Sequence, residues 1–177
     1  MTTTDTAIEP DDKDWTWVLR EPCQECGFDA AATDPASVGS GLAGQAAAWR
    51  RVLERPDARE RRRPDRWSDL EYACHVRDVL TIFTGRFEQV LTEDPARFAN
   101  WDQDVAAIEG DYAHADPASV AGEIDVEAAR LAAVLARVDG ADWERRALRS
   151  NGSEFTAATL AQYLQHDLAH HLVDVGA

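Results

Sequence analysis

Two histidines near the C-terminus have a spacing that suits metal binding. His166 and His170 lie four residues apart in the segment LQHDLAHHLVDV. Residues four apart in a helix differ by about 40° in direction and about 6 Å in height, so both imidazoles point to one side and can bind one divalent ion. His171 is rotated by about 100° from His170, which favours a surface or packing role for it.

A third candidate ligand lies earlier in the chain. His75 stands mid-pattern in the apolar helical segment LEYACHVRDVL, where a single histidine is commonly a hydrogen-bonded core residue. Together with His166 and His170, however, it completes a set of three neutral imidazoles that leaves coordination positions open for water or substrate. Glu71 and Asp174 lie one helical turn from His75 and His170, respectively, and could orient the rings through hydrogen bonds.

Periodicity leaves the surroundings of His166 and His170 open. Four leucines form an apolar face of this segment, and both histidines lie nearly opposite it. These leucines are Leu160, Leu164, Leu168 and Leu172. Either the helix is buried on both sides and the histidines face a pocket, or they lie on its solvent-exposed face.

The cysteines offer further chemistry. Cys23 and Cys26 form a C-x2-C motif, which is half of a zinc site or a redox pair, and no second C-x2-C motif exists in the sequence. The odd total of three cysteines speaks against a structural disulfide framework. Cys23 and Cys26 could form a redox pair, bind a second metal ion or be thiols without a function. If the N-terminal segment folds over the metal, one of them could also lie near a bound substrate. Cys74 neighbours His75 but projects about 100° away from it on a helix.

Four amphipathic segments are expected to position these residues. Each begins at a helix-capping signal and has apolar residues at steps of three and four. The segments run from Asp34-Pro35 to Pro56, from Ser68 to about Thr92, from Asp116-Pro117 to Gly140, and from Thr156 to about Val175. Four helices of this length without a clear strand pattern predict an all-α fold, a four-helix bundle.

The N-terminal part differs from the bundle. Residues 1–13 are expected to form a disordered acidic tail, and the aromatic stretch 14–34 is expected to pack irregularly across the bundle. The chain is therefore divided into an N-terminal extension, residues 1–34, and a bundle domain, residues 35–177.

Two connecting segments are less clear. Residues 96–115, which include Trp101 and the following acidic residues, form either a short helix or a loop over the bundle. Residues 143–155 contain Asn151-Gly152, a strong turn signal, and form either a small hairpin or an extended loop.

Composition restricts the class of protein. The chain has 177 residues and a formal net charge of −15, which argues against binding to a nucleic-acid backbone. It has no apolar run of the roughly 18–20 residues that span a membrane, and no secretory signal at its start. A cytoplasmic protein is expected. Eight arginines cluster in residues 45–66 and could bind an anion, but we interpret them as a solvated helix end and loop with mixed charges.

The order of these motifs resembles the DinB superfamily of metal-binding four-helix bundles. The resemblance rests on His75 in WSDLEYACHVRDV and on His166 and His170 in YLQHDLAHHLVDV, and it covers roughly residues 35–175. The amino-acid sequences of these segments are similar to those of actinobacterial members of the superfamily. The resemblance implies that these three histidines bind one divalent ion. Zinc is the ion we expect, and nickel is the alternative.

The same resemblance implies an activity. Related proteins include thiol transferases that use bacillithiol or mycothiol, and a mycothiol-dependent maleylpyruvate isomerase. Our leading hypothesis is a metal-dependent transferase in which mycothiol attacks an electrophilic small molecule as a thiolate. A non-catalytic metal-binding bundle and a metal-dependent hydrolase are the alternatives. The catalytic residues are not identified by the sequence, which also leaves a homodimer open.

Overall fold

The computed structural model describes residues 8–10 and 13–177, and within them the chain folds as a bundle of four long helices. These are α1 (Val38–Leu53), α2 (Asp69–Thr92), α4 (Pro117–Leu135) and α5 (Ala157–Asp174). A short helix, α3 (Gln103–Glu109), lies in the connection between α2 and α4. The predicted all-α bundle is confirmed, with the addition of a small sheet.

Helices α2, α4 and α5 begin where the capping signals predict, whereas Asp34 caps a 3-10 helix, Pro35–Ser37, and α1 begins only after it. Ser68 accepts a hydrogen bond from the Glu71 amide while the Glu71 carboxylate accepts one from the Ser68 amide, so α2 starts with a capping box. Asp116 and Thr156 cap α4 and α5 through their side chains. Helix α4 ends at Leu135, about one turn before Gly140, where we predicted its end.

The core lies between the four long helices. Helix α4 packs against both α1 and α2, and α5 contacts the same two helices. The apolar residues predicted from periodicity are buried there, among them Leu42, Trp49, Phe87, Ile124, Leu131, Leu164 and Leu168. Burial of these faces stabilises the bundle and holds the ends of α2 and α5 in a fixed relation.

Three short strands form a sheet at one side of the bundle. Strand β2 (Arg146–Arg149) pairs in parallel with β1 (Ala96–Phe98) and antiparallel with β3 (Glu154–Thr156). Gly152 has a φ of +94° in the turn between β2 and β3. The hairpin alternative for residues 143–155 is therefore confirmed, and β3 leads directly into α5.

The N-terminal segment packs on α5. It contains two 3-10 helices, Trp15–Leu19 and Ala30–Ala32, and has a small apolar core of its own made by Val18, Cys23, Phe28 and Ala30. Gln162 of α5 donates hydrogen bonds to the carbonyls of Ala30 and Thr33, both at 2.9 Å. The expectation that residues 14–34 cover the bundle is confirmed, whereas most of the predicted disordered tail, residues 1–13, lies outside the described residues.

Among residues 8–10 and 13–177, none of the helices is both long enough and apolar enough to cross a bilayer.

The bundle core should be sensitive to loss of volume on α5. Leu164 is fully buried, so Leu164→Ala is expected to lower the free energy of unfolding by about 2–5 kcal/mol through lost burial and a residual cavity. Urea denaturation measures this change. Ile108→Ala is the control, because Ile108 is 80% exposed and its truncation should change stability by less than about 0.5 kcal/mol. Equal effects of the two substitutions would contradict the position of the core.

Candidate metal centres

Helix α5 carries two pairs of potential ligands, each with a spacing of four residues. His166 and His170 form the first pair, and Asp167 and His171 form the second, one residue further along. Because one residue corresponds to a rotation of about 100°, the two pairs face different neighbours. The first pair faces the N-terminal segment, and the second faces α2.

The second pair meets His75 of α2, and we call His75, Asp167 and His171 the histidine–aspartate cluster. One potential ligand atom from each residue lies within 4.8 Å of the others. The Oδ1 atom of Asp167 is 3.6 Å from Nε2 of His75 and 3.7 Å from Nε2 of His171. Two ligands of a tetrahedral zinc ion lie about 3.4 Å apart, so the spacing of these atoms fits a shared divalent ion.

The electrostatics of this cluster also favour a cation. Burial lowers the pKa of His75, so its ring is neutral at pH 7. Burial alone would raise the pKa of Asp167, but the imidazoles of His171, His75 and His166 outweigh it and lower this pKa to about 2. The cluster therefore presents an ionised carboxylate beside a neutral imidazole, which is the protonation state that a metal ion requires.

Several buried atoms of the cluster lack hydrogen bonds. Among the described residues, Nδ1 and Nε2 of His75 and Oδ1 of Asp167 have no hydrogen-bond partner. Such atoms are rare in folded proteins, because an unsatisfied buried polar group costs about 1–3 kcal/mol. A divalent ion within reach of Nε2 and Oδ1 would satisfy both atoms, so the residues fit a metal.

Aromatic residues enclose His75. The ring of Trp101 stacks on it at 5.4 Å between centroids, and the ring of Trp67 lies at the same distance on another side. Trp101 precedes α3, so the connection after α2 does lie over the bundle. These indoles limit the access of water to one side of the cluster.

A pocket of about 310 Å³ lies next to the cluster, separated from it by residues that contact its histidines. Its wall includes Trp67, Tyr72 and Asp174, which contact His75 or His171. The other lining residues are charged, namely Arg62, Arg63, Arg66, Glu60 and Asp69. We call this space the arginine-lined pocket. Its arginines come from the basic segment that the sequence left without a role.

Asp174 and Glu71 were both predicted to orient the histidines, but in the structure they have different kinds of partner. Asp174 is 2.9 Å from Nδ1 of His171 and could hold that ring with Nε2 directed at the cluster, the usual arrangement behind a metal-bound imidazole. Glu71 instead pairs with Arg61, at 2.6 and 3.0 Å, and caps α2. Its contacts therefore hold the basic segment against α2.

The first pair meets the C-x2-C motif, and we call Cys23, Cys26, His166 and His170 the cysteine–histidine cluster. One potential ligand atom from each of the four residues lies within 4.8 Å of the others. Cys23 Sγ is 3.7 Å from Nδ1 of His170. His166 and His170 are buried by the N-terminal segment, which decides between the two interpretations of their helix face.

The structure thus divides the three histidines that were expected to share one ion. His75 lies with Asp167 and His171, whereas His166 and His170 lie with two cysteines. The single cluster of His75, His166 and His170 is therefore revised to two clusters. His171 does point away from His170, as helical geometry predicts. It nevertheless forms a four-residue pair of its own with Asp167, so it is more than the surface or packing residue that we expected. This D-x3-H spacing was the available signal, and we missed it because Asp167 was not considered as a ligand.

The fold and these clusters define a four-helix bundle with candidate metal-binding groups on both sides of its last helix. Residues 42–174 match the DinB superfamily, and the chain belongs to this superfamily. A solved structure with a similar fold is that of YfiT from Bacillus subtilis, described as a probable metal-dependent hydrolase with an unusual four-helix bundle topology. The two share 17% identity with a TM-score of 0.67, over 87% of this chain and 86% of that one. No curated protein matches the sequence significantly.

Removal of one ligand from the histidine–aspartate cluster should remove one metal ion. We expect His75→Ala and His171→Ala to bind one equivalent of Zn²⁺ less than the wild-type protein, because neither leaves three ligands in place. Elemental analysis after dialysis against zinc measures the stoichiometry. His114→Ala is the control, since His114 is exposed and contacts only Asp111 among the described residues. An unchanged zinc content in both cluster variants would contradict the assignment.

The Arg61–Glu71 pair should make stability depend on pH. Burial would raise the pKa of Glu71, but Arg61 and Ser68 outweigh it and hold this pKa below its ordinary value of 4.5. The contribution of the ionised carboxylate to stability is thus full above about pH 4.5 and is lost as the pH falls through the lower folded-state pKa. Glu71→Gln should lower the free energy of unfolding by about 1–3 kcal/mol at pH 7, and by progressively less in acid.

Urea denaturation over a pH series tests this expectation. Glu60→Gln, at an exposed position of the same basic segment, is the matched control and should leave stability nearly unchanged. A Glu71→Gln deficit that grew as the pH fell would show that the sign is wrong.

Proposed function

We propose that the protein is a divalent-metal-dependent enzyme whose ion is held by the histidine–aspartate cluster and whose substrate occupies the arginine-lined pocket. The observation that carries this proposal is the pair of unpartnered buried atoms, Nε2 of His75 and Oδ1 of Asp167, which lie 3.6 Å apart, as two neighbouring ligands of one ion would. When bound, a divalent ion supplies Lewis acidity that lowers the pKa of a water molecule or a thiol. Zinc is the ion we propose, with nickel as the alternative for this imidazole and carboxylate donor set.

The residues around the cluster have separate tasks in this proposal. Asp174 fixes the ring orientation of His171, and the indoles of Trp67 and Trp101 exclude water from the side of His75. Three protein ligands leave room for a reactant, as catalytic zinc sites do. The reactant would enter from the pocket wall formed by Tyr72 and Asp174.

The charged wall of the arginine-lined pocket, with three arginines and three carboxylates, favours a strongly polar substrate. Arg62 pairs with Asp69 at 3.1 Å and Arg63 pairs with Asp65 at 2.7 Å, so both charges are largely compensated within the chain. Among the described residues, the Arg66 side chain has no ion pair or hydrogen bond of its own, although it faces the same pocket as Asp174. Arg66 is therefore the residue best placed to pair with a carboxylate or phosphate of the substrate.

Hydrolysis is the reaction that the donor set supports best. Two imidazoles and one carboxylate are also the ligands of well-known zinc hydrolases, in which the remaining position takes the attacking water. The similar fold of YfiT, described as a probable metal-dependent hydrolase, agrees with this choice. The substrate would then be an ester or amide small enough for a pocket of about 310 Å³.

Thiol transfer is the second candidate. It rests on the resemblance to superfamily members that use mycothiol, and on a pocket whose polar wall and volume could accept a small polar thiol. Mycothiol would replace water as the nucleophile and would attack an electrophilic small molecule. A bundle that binds its ion without catalysis is the remaining alternative.

One set of assays separates these reactions. Zinc-loaded wild-type protein is tested for hydrolysis of p-nitrophenyl esters with neutral and anionic acyl groups, and for conjugation of monobromobimane with and without mycothiol. We expect turnover that falls by at least ~100-fold in His75→Ala and persists in His114→Ala, since loss of the metal removes its activation of the nucleophile. For an anionic substrate, Arg66→Gln should raise KM while Arg63→Gln, whose charge is already paired, should not.

Each outcome has a defined meaning. Ester hydrolysis without added thiol supports the hydrolase, and conjugation that requires mycothiol supports the transferase. Absence of both reactions in protein with a fully bound ion at the histidine–aspartate cluster would overturn the enzymatic proposal and leave the non-catalytic bundle.

A further inference from the structure

We propose that the cysteine–histidine cluster is a second, structural zinc site, which fastens the N-terminal segment to α5. The site is separate from the histidine–aspartate cluster, and none of its residues has a part in the reaction proposed above. It would hold Zn²⁺ in a closed S2N2 coordination that leaves no position for a substrate.

The donor set is complete and balanced in charge. Two thiolates and two neutral imidazoles are a standard tetrahedral zinc set, and thiolate sulfur selects zinc over magnesium or calcium. Two thiolates also neutralise the double charge of the ion, so the assembled site carries no net charge where it is buried. Cys23, His166 and His170 are 1%, 4% and 7% exposed, respectively.

The C-x2-C loop has a conformation that presents both sulfurs to α5. The Gly27 amide donates to the Cys23 carbonyl at 2.8 Å, and the Cys23 amide donates to the Phe28 carbonyl at 2.8 Å. Gly27 has a φ of +75°, a conformation that glycine adopts without strain. This tight turn keeps the thiols of Cys23 and Cys26 on one side of the loop, within ligand distance of the two histidines.

The histidines are oriented as zinc ligands would be. Nδ1 of His170 lies 3.7 Å from Cys23 Sγ, close to the separation of about 3.6 Å expected for nitrogen and sulfur on one tetrahedral zinc ion. The other nitrogen of this ring, Nε2, lies 3.5 Å from a Glu25 carboxylate oxygen and 3.9 Å from one of Asp174. Carboxylates on the far side of a ligand imidazole commonly fix its orientation and raise its basicity.

His166 supplies independent support. Its Nε2 atom is buried and has no hydrogen-bond partner among the described residues. The rings of Trp15 and Phe28 cover the imidazole at centroid distances of 5.4 Å, so water has little access to it. A buried imidazole without a partner for Nε2, in a cluster with two thiols, is well explained by a bound ion.

Zinc at this site would hold the N-terminal segment against the bundle. The N-terminal segment has only a small apolar core, and zinc would join it to the main bundle by bonds from both sides. Metal binding that exists only in the folded state adds its free energy to the stability of that state. The fixed segment in turn keeps Trp15 against both histidines of the cluster.

Zinc stoichiometry and cobalt spectroscopy test the proposal in the full-length protein. We expect two equivalents of Zn²⁺ in the wild type, one in the Cys23→Ser/Cys26→Ser double variant, and two in Cys74→Ser, a matched control at a buried thiol on α2. Substitution with Co²⁺ should give a near-ultraviolet sulfur-to-cobalt charge-transfer band in wild type and in His171→Ala, but not in the double variant. Because the band reports sulfur ligation directly, it distinguishes this site from the histidine–aspartate cluster, which offers only nitrogen and oxygen.

Limited proteolysis then tests the fastening. Trypsin should cut after the exposed Arg20 at least ~tenfold faster in the double variant than in the wild type or Cys74→Ser, because the segment opens more often without its ion. Circular dichroism confirms that the bundle itself is folded in each variant.

Two results would overturn the proposal. One is zinc-saturated wild-type protein that binds one equivalent and shows no sulfur-to-cobalt band. The other is a Cys23–Cys26 disulfide, seen as a single titratable thiol in protein denatured without reductant, instead of all three cysteines of the sequence. The second result would support the redox interpretation of the C-x2-C motif. Neither result depends on enzymatic activity, so failure of the zinc site and failure of the proposed function are distinguishable.

Discussion

The burial of ligand atoms without hydrogen-bond partners is the constraint on which the arrangement of this protein depends. Helix α5 places one imidazole nitrogen, Nε2 of His166, and one carboxylate oxygen, Oδ1 of Asp167, in the interior without partners, where unsatisfied polar atoms are costly. Each of these atoms lies in a cluster with potential metal ligands from another element, Cys23 and Cys26 in one case and His75 in the other. A divalent ion at each of the two proposed sites would satisfy atoms that the described protein groups leave unpaired.

The two clusters differ in the chemistry that they permit. The cysteine–histidine cluster provides four ligands from two elements and is covered by aromatic rings, which suits a structural ion. The histidine–aspartate cluster provides three ligands and adjoins a pocket, which suits a reactive ion. Asp174 lies near one histidine of each cluster, with 2.9 Å to His171 and 3.9 Å to His170.

The basic segment before α2 binds both to the start of α2 and to the end of α5. Arg61 binds Glu71 in the first turn of α2, and Arg55 and Arg62 bind Asp69, the first residue of this helix. Arg55 also donates to the carbonyl of Val175, just after α5. These contacts tie the ends of α2 and α5 together beside the pocket, so the acidic protein concentrates its arginines where its two ligand-bearing helices meet.

The sequence by itself determined the fold class and the candidate ligand types. Caps at Ser68, Asp116 and Thr156 and the apolar periodicity were sufficient for the four helices, because both are local properties of the chain. The presence of His75 on one helix and a histidine pair on another was equally visible. The short strand β1 was not, because its pairing with β2 joins residues about fifty positions apart.

Only the tertiary structure decided which ligands belong together. The spacing of four residues is satisfied by His166 with His170 and by Asp167 with His171, and local geometry ranks neither pair above the other. The choice depends on which face of α5 is turned to α2 and which to the C-x2-C loop, and that is set by packing of the whole bundle. For the same reason, Cys23 and Cys26 could be identified as half of a site from the sequence, while the other half, about 140 residues further along the chain, became visible only in the folded protein.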